Sequence, residues 1–206
     1  MSSYGKHYLP QRIAHLVNLM AMILLIISGF YIYRPFVDGI MGIMRFIHFV
    51  AGAILMLNII WRVYYSFCGK YKDYSEFKPE PGKILPVVKY YLLMGNKVAT
   101  KGKYNPLQKL AYLIIPFLII YQGVTGLALA YPDGMLAGFI HGLGGLANVR
   151  ALHYLGIWVF ICITLTHVYA MLFEAPQQFW AMFFGKEIAS QPPPIITQAD
   201  LNVRPK

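Results

Sequence analysis

Residues 13–33 contain no charged side chain, and three more long apolar runs follow along the chain. They cover residues 41–67, 107–131 and 149–173, and the charges within them sit toward their ends, as with Arg45 and Arg62 around an uncharged centre at 46–61. About 20 predominantly apolar residues in a helix rise the ~30 Å of a hydrocarbon core. Within that core the backbone must satisfy its own hydrogen bonds, which leaves helices and closed barrels as spanning structures. Uninterrupted apolar runs of this length select the helix. With 58% hydrophobic and 13% charged residues among 206, the chain is expected to be an all-α membrane protein, a four-transmembrane-helix bundle. The bundle is expected to occupy residues 1–176 and a cytoplasmic tail residues 177–206.

The connections carry their own signals. Pro10 stands just ahead of the first run, where a proline is tolerated. Residues 70–104 form a long polar loop, and its one apolar stretch, 84–94, is too short to cross and carries Lys89; it reads as an interfacial amphipathic segment. Pro116 lies inside the third run, and Pro132-Asp133-Gly134 closes that run with turn chemistry. The glycine-rich stretch 135–150 reads as lying along the membrane surface, and the tail as interfacial at first and irregular at its proline-rich end. The first apolar run is too long for the core of a cleavable signal peptide, so none is expected. Cys68 and Cys162 form neither a CxxC nor a CxxCH, which argues against a disulfide framework and against covalent haem attachment.

A net charge of +10 could point to nucleic acid, but its distribution points to topology. The N-terminus, the 62–109 region and the tail hold 2, 10 and 3 Lys or Arg, 15 together; the two loops on the other side hold Arg34, Arg45 and Arg150. By the positive-inside rule both termini and the long loop face the cytoplasm. Nucleic acid is rejected as a partner.

Four histidines lie within the spans. His153 and His167 share the fourth, fourteen residues apart. That spacing gives about 21 Å of rise and falls about 40° short of four turns, so both imidazoles share nearly one face, one near each membrane edge. Ionisable groups inside a membrane are costly and mark function by default. By depth, His48 pairs with His153 at the far edge, and His15 with His167 at the cytoplasmic edge. Two opposed imidazoles on different helices suit the iron of a b-type haem, one nitrogen on each face of the porphyrin. These four are the expected axial ligands of two haems, in the pairs His48/His153 and His15/His167. Closed axial ligation favours electron transfer over chemistry at iron.

Arg12, Arg45 and Arg150 each precede one of these histidines by three residues, in RIAH, RFIH and RALH. Residues i and i+3 share a helix face, and each guanidinium lies one turn nearer the interface, where it suits a haem propionate. Gly52 and Gly156, close after His48 and His153, are the expected clearance positions for a flat macrocycle; Gly123 and Gly126 read as helix packing. Asn18 and Asn58 could bond between helices. His7 and His141 read as surface histidines.

With these residues in view the chain resembles the b-type cytochrome subunit of membrane-bound nickel–iron hydrogenases, in the di-haem family that includes the formate dehydrogenase gamma subunit. The resemblance spans residues 8–175 and is carried by RIAH, MGIMRFIHFVAG, WRVYYSFCGKY, NPLQKLA, GVTGLALAY and HYLGIWVFICITLTHVYAM. It implies a periplasmic hydrogenase as partner, whose iron–sulfur small subunit anchors by a C-terminal helix and links the cytochrome to the large subunit. Electrons would pass from cluster to far haem, to cytoplasmic haem, to menaquinone or ubiquinone in a bacterial or archaeal inner membrane. Tyr104 stands where the family has histidine before Asn-Pro. On this reading the quinone lies beside the cytoplasmic haem, and the polar groups that topology places there are Tyr8, Asn105, Gln108 and Lys109. Asn105 opens the third helix, where first-turn N–H groups are unpaired. Two alternatives remain open: the same role for formate dehydrogenase, thiosulfate reductase or another iron–sulfur enzyme, and a small transporter or channel with a histidine proton relay.

Overall fold

The computed structural model describes residues 7–70, 74, 78, 80–91, 94, 106–174 and 176–185, with the backbone alone at Gln108, Tyr112 and Glu174. Within these residues the regular structure is helical throughout. The order is α1 (Leu9–Tyr33), α2 (Met41–Cys68), α3 (Pro81–Tyr91), α4 (Pro106–Ala130), α5 (Ala137–Gly142), α6 (Leu146–Tyr169), a π-helical turn (Ala170–Glu174) and α7 (Pro176–Phe184). Four of these helices, α1, α2, α4 and α6 with its π turn, are long and apolar enough to cross a membrane. The outer surface is apolar, with Ile27, Leu57, Phe117 and Leu165 all more than half exposed. Such a surface suits lipid.

The helix ends follow local chemistry. α1 begins at Leu9, earlier than residue 13, because the Gln11 side chain accepts a hydrogen bond from the Tyr8 backbone N–H at 3.1 Å. That contact and Pro10 within the first turn extend the helix into the polar segment. At the other end the Tyr31 hydroxyl donates to the Val37 carbonyl, closing the turn into α2. Gly144 and Gly145 take φ of +83° and +105° ahead of α6, a backbone only glycine adopts readily. The final span widens into its π turn just before Pro176, whose missing N–H cannot continue an α-helical ladder. Of the segment 84–94 expected to be interfacial, residues 84–91 belong to the helix α3, which packs on α4.

Packing divides the spans into two hairpins, α1 with α2 and α4 with α6, joined through α2 and α4. Along α1 the buried small residues Ala14, Ala21 and Ser28 recur every seventh position, so the α2 backbone can come close. Asn58 of α2 uses that closeness: its Nδ2 donates to Ala14 O at 2.7 Å and Asn18 Oδ1 at 2.6 Å. Ala21, Leu55, Ile59, Ile119 and Phe160 form the mid-bundle core. Facing rings link α1 and α6, with Tyr33 stacked on Tyr154 at 4.3 Å and Phe30 edge-on to Trp158 at 5.7 Å.

Candidate functional site: two histidine pairs

Alternating helix direction brings the start of α1 and the end of α6 to one end of the bundle. The start of α2 and the start of α6 meet at the other, called here the far end. At the first end the rings of His15 and His167 lie 6.2 Å apart between centroids. At the far end His48 and His153 lie 6.3 Å apart. α6 thus supplies one imidazole to each pair, and α1 and α2 supply one each.

The spacing has a chemical meaning. Two metal–nitrogen bonds of about 2.0 Å and two ring radii of about 1.1 Å place opposed imidazole centroids about 6.2 Å apart. Both pairs match. Among the described residues no three His, Cys, Asp or Glu side chains cluster, so each pair offers two nitrogen donors. A porphyrin, which brings four donors of its own, is the group such a pair fits.

The far pair is oriented by hydroxyls. Ser28 Oγ lies 2.9 Å from His48 Nδ1, and Thr125 Oγ1 lies 2.8 Å from His153 Nδ1. Both hydroxyls are fully buried. Glycines lie beside both rings. A Cβ on Gly29 would sit 3.3 Å from His48 Cε1, and one on Gly126 would sit 3.3 Å from His153 Cε1. At the other pair, His15 Nδ1 is buried without a hydrogen-bond partner among the described residues, and Phe183 of α7 stands edge-on to the His15 ring at 6.0 Å.

The remaining residues singled out in the sequence fall in several places. Arg45 and Arg150 are exposed at the far end, three residues before His48 and His153. Arg12 reaches α7 instead: its Nε donates to Met182 O at 2.9 Å and its Nη2 to Phe183 O at 3.0 Å. A Cβ on Gly52 would meet only Leu25, at 3.9 Å, so the room there is open. The space over Gly156 is taken by the Gln122 amide, whose Nε2 donates to His153 O at 3.2 Å. Gly126, read as packing, lies against a histidine ring, while Gly123 does pack, on Met56. His7, read as a surface histidine, is 9% exposed. Gln11, in the first turn of α1, is buried as well.

Of the quinone candidates, Tyr8 caps α1 and Lys109 is buried in the first turn of α4. Lys109 Nζ contacts Glu80 Oε1 at 2.5 Å, and Lys83 Nζ contacts Glu80 Oε2 at 2.7 Å. Hydrogen bonds from Lys109 and then Lys83 hold the Glu80 carboxyl at about 2, well below its usual range. Asn105 and the Gln108 side chain lie outside the described residues.

Sequence reasoning passed over Ser28, Thr125 and Gln122. Their signal was available, since a polar side chain within a span must find a partner.

The chain matches the family described as prokaryotic cytochrome b561 over residues 6–185. Its relatives include a protein of Cupriavidus necator described as a probable Ni/Fe-hydrogenase B-type cytochrome subunit, 26% identical over 188 residues that cover 80% of this chain and 77% of the relative. A protein of the same description from Azotobacter vinelandii is 28% identical, covering 80% and 78%. A probable Ni/Fe-hydrogenase 1 B-type cytochrome subunit of Escherichia coli K12 is 25% identical, covering 82% and 83%.

Proposed function

The chain belongs to the prokaryotic cytochrome b561 family, and from that premise we propose that it is the membrane cytochrome b of a nickel–iron hydrogenase. In this role it carries electrons from the iron–sulfur small subunit, through two bis-histidine haems b, to a quinone. The observation that carries the reading is the pair of centroid separations, 6.2 and 6.3 Å, one at each end of one bundle. The names of the relatives from three genera support the hydrogenase as donor.

Haem b would supply a reversible one-electron couple at each pair. The rest of the work falls to the chain. His48 and His153 would hold the far group, and His15 and His167 the near one. Because α6 contributes to both pairs, one helix fixes the distance between them, about 21 Å along its axis from the fourteen-residue spacing. The apolar core of Leu55, Ile59, Ile119 and Phe160 excludes water between the two ends. Arg45 and Arg150, exposed at the far end, offer guanidinium charge to propionates there.

The donor docks at the far, periplasmic end, and the quinone takes its electrons at the cytoplasmic end, near Tyr8 and the head of α4 with Asn105, Gln108 and Lys109. As a multi-pass membrane protein, the chain would keep both termini in the cytoplasm, consistent with the 15-to-3 distribution of basic residues.

The test is spectroscopic first. Purified protein should give a b-type alpha band and two haems per chain by pyridine haemochrome. His153→Ala should retain one of the two, and His15→Ala should retain the other. Hydrogen-driven quinone reduction should need the co-purified hydrogenase and should fail in both variants. One haem per wild-type chain would overturn the two-pair reading.

A further inference from the structure

We propose that Ser28-Gly29 on α1 and Thr125-Gly126 on α4 form a duplicated cradle that fixes the tautomer and pose of His48 and His153, and so makes the far haem the lower-potential of the two. The proposal rests on the haem reading above and extends it to residues outside the ligand set.

Proton accounting gives the tautomer. A hydroxyl has one proton to donate and two lone pairs with which to accept. Ser28 Oγ sits 2.6 Å from Leu24 O, and Thr125 Oγ1 sits 2.8 Å from Tyr121 O, each the carbonyl four residues back in its own helix. In a fully buried hydroxyl that carbonyl takes the proton. The contacts at 2.9 Å to His48 Nδ1 and 2.8 Å to His153 Nδ1 are therefore made by imidazole N–H donating to hydroxyl oxygen. Each ring then carries its proton on Nδ1 and leaves the Nε2 lone pair for a metal.

The glycine that follows each hydroxyl completes the cradle. It lets the ring lie against the helix backbone, where a Cβ would sit 3.3 Å from Cε1. The two halves come from different hairpins: α1 serves His48 of α2, and α4 serves His153 of α6. The same dipeptide chemistry appears twice, with nearly the same distances, although Ser28 and Thr125 are 97 positions apart. At the other pair, His15 Nδ1 has no partner among the described residues.

The electronic consequence follows from basicity. An Nδ1–H that donates a hydrogen bond makes the imidazole a stronger ligand, which favours the more highly charged oxidised iron. The far centre, with both imidazoles so bonded, has the lower potential. Electrons entering there run downhill to the cytoplasmic end.

The experiment is a redox titration of the alpha band in the purified full-length protein, with haem counted first. Ser28→Ala and Thr125→Ala should raise the lower of two midpoints and leave the higher one in place. Ser28→Thr and Thr125→Ser, which keep the hydroxyl, should restore it. Should an alanine variant lose the far haem, the hydroxyl-preserving variant must still hold both, and loss in both variants would reject the hydroxyl's role. Two haems with unmoved midpoints, or a shift of the higher midpoint alone, would overturn the proposal and spare the haem reading. A wild-type count other than two would fail that reading itself.

Discussion

Arg12 and Met182, 170 positions apart, are joined by a hydrogen bond of 2.9 Å from the Arg12 Nε to the Met182 carbonyl. Arg12 Nη2 adds a second bond to Phe183 O. These two carbonyls belong to the last turn of α7, where no intrahelical N–H reaches them. A guanidinium there satisfies both and complements the negative end of the helix. The first helix thus fastens the last, and Phe183 is carried against the His15 ring.

Arg12→Ala should therefore release α7, leaving its last carbonyls to water and exposing the His15/His167 pair. Backbone hydrogen exchange over residues 176–184 should rise by an order of magnitude or more, while α2 stays protected. Gly185→Val should act in the same direction. Gly185 has φ +69° and its Cβ would strike the Arg12 guanidinium. Unchanged exchange in both would detach α7 from Arg12.

Glycines under the far rings set a steric limit. Gly126→Val would add methyls beyond a Cβ already 3.3 Å from His153 Cε1, and the ring would have to move. Either Gly126→Val or Gly29→Val should cost the far haem and keep the near one, giving one haem per chain. Gly123→Ala, whose Cβ would meet only the flexible Met56 side chain, should leave the count at two.

Asn58 links α1 to α2 in an apolar setting. Hydrogen bonds between spans contribute about 0.6 kcal/mol on average and up to about 1.7. Asn58→Leu leaves the Asn18 amide without this partner, so a loss of about 1 kcal/mol in detergent unfolding is expected. Asn18→Leu in the same chain should recover part of it, since neither polar group then remains.

Glu80 holds α3 to α4 through Lys109, and its charge makes that link pH-sensitive. Its folded pKa of about 2 lies below the ordinary 4.5. The stabilisation is therefore complete above about 4.5 and is lost as pH falls toward about 2. Hydrogen exchange in residues 84–91, corrected for intrinsic rate, should increase across that window and rise earlier at high salt, because the carboxylate is partly exposed. Glu80→Gln should show the loosened state at every pH.

Topology can be read with reporter fusions. A fusion at Lys206 should report the cytoplasm and one within residues 134–142 the periplasm, as the basic-residue count requires. Matching signals would mean that a span has been miscounted.

How far the sequence could be read differs between parts of the molecule. The spans were legible because each crossing is a local property: twenty apolar residues settle it without reference to neighbours. The histidine pairing was legible as well, since helix rise converts position into depth and the bundle is only one membrane thick. Glycine roles were harder to read. Gly156 and Gly126 look alike in sequence, yet Gln122 fills the space at one and His153 lies against the other. Which side chain faces a glycine depends on the rotation of the opposite helix, and no local pattern encodes that rotation.

By itself the sequence determined that the chain crosses a membrane four times, which end is basic, and at what depth each imidazole lies. All three follow from transfer free energies and helical rise, which act residue by residue. Only the tertiary structure decided that Ser28 and Thr125 bond to histidine, that Arg12 turns to α7, and that Glu80 claims Lys109. Each of these contacts joins segments that lie apart in the chain, and hydrogen bonds at 2.5 to 2.9 Å exist only once packing has fixed the separation and rotation of both partners.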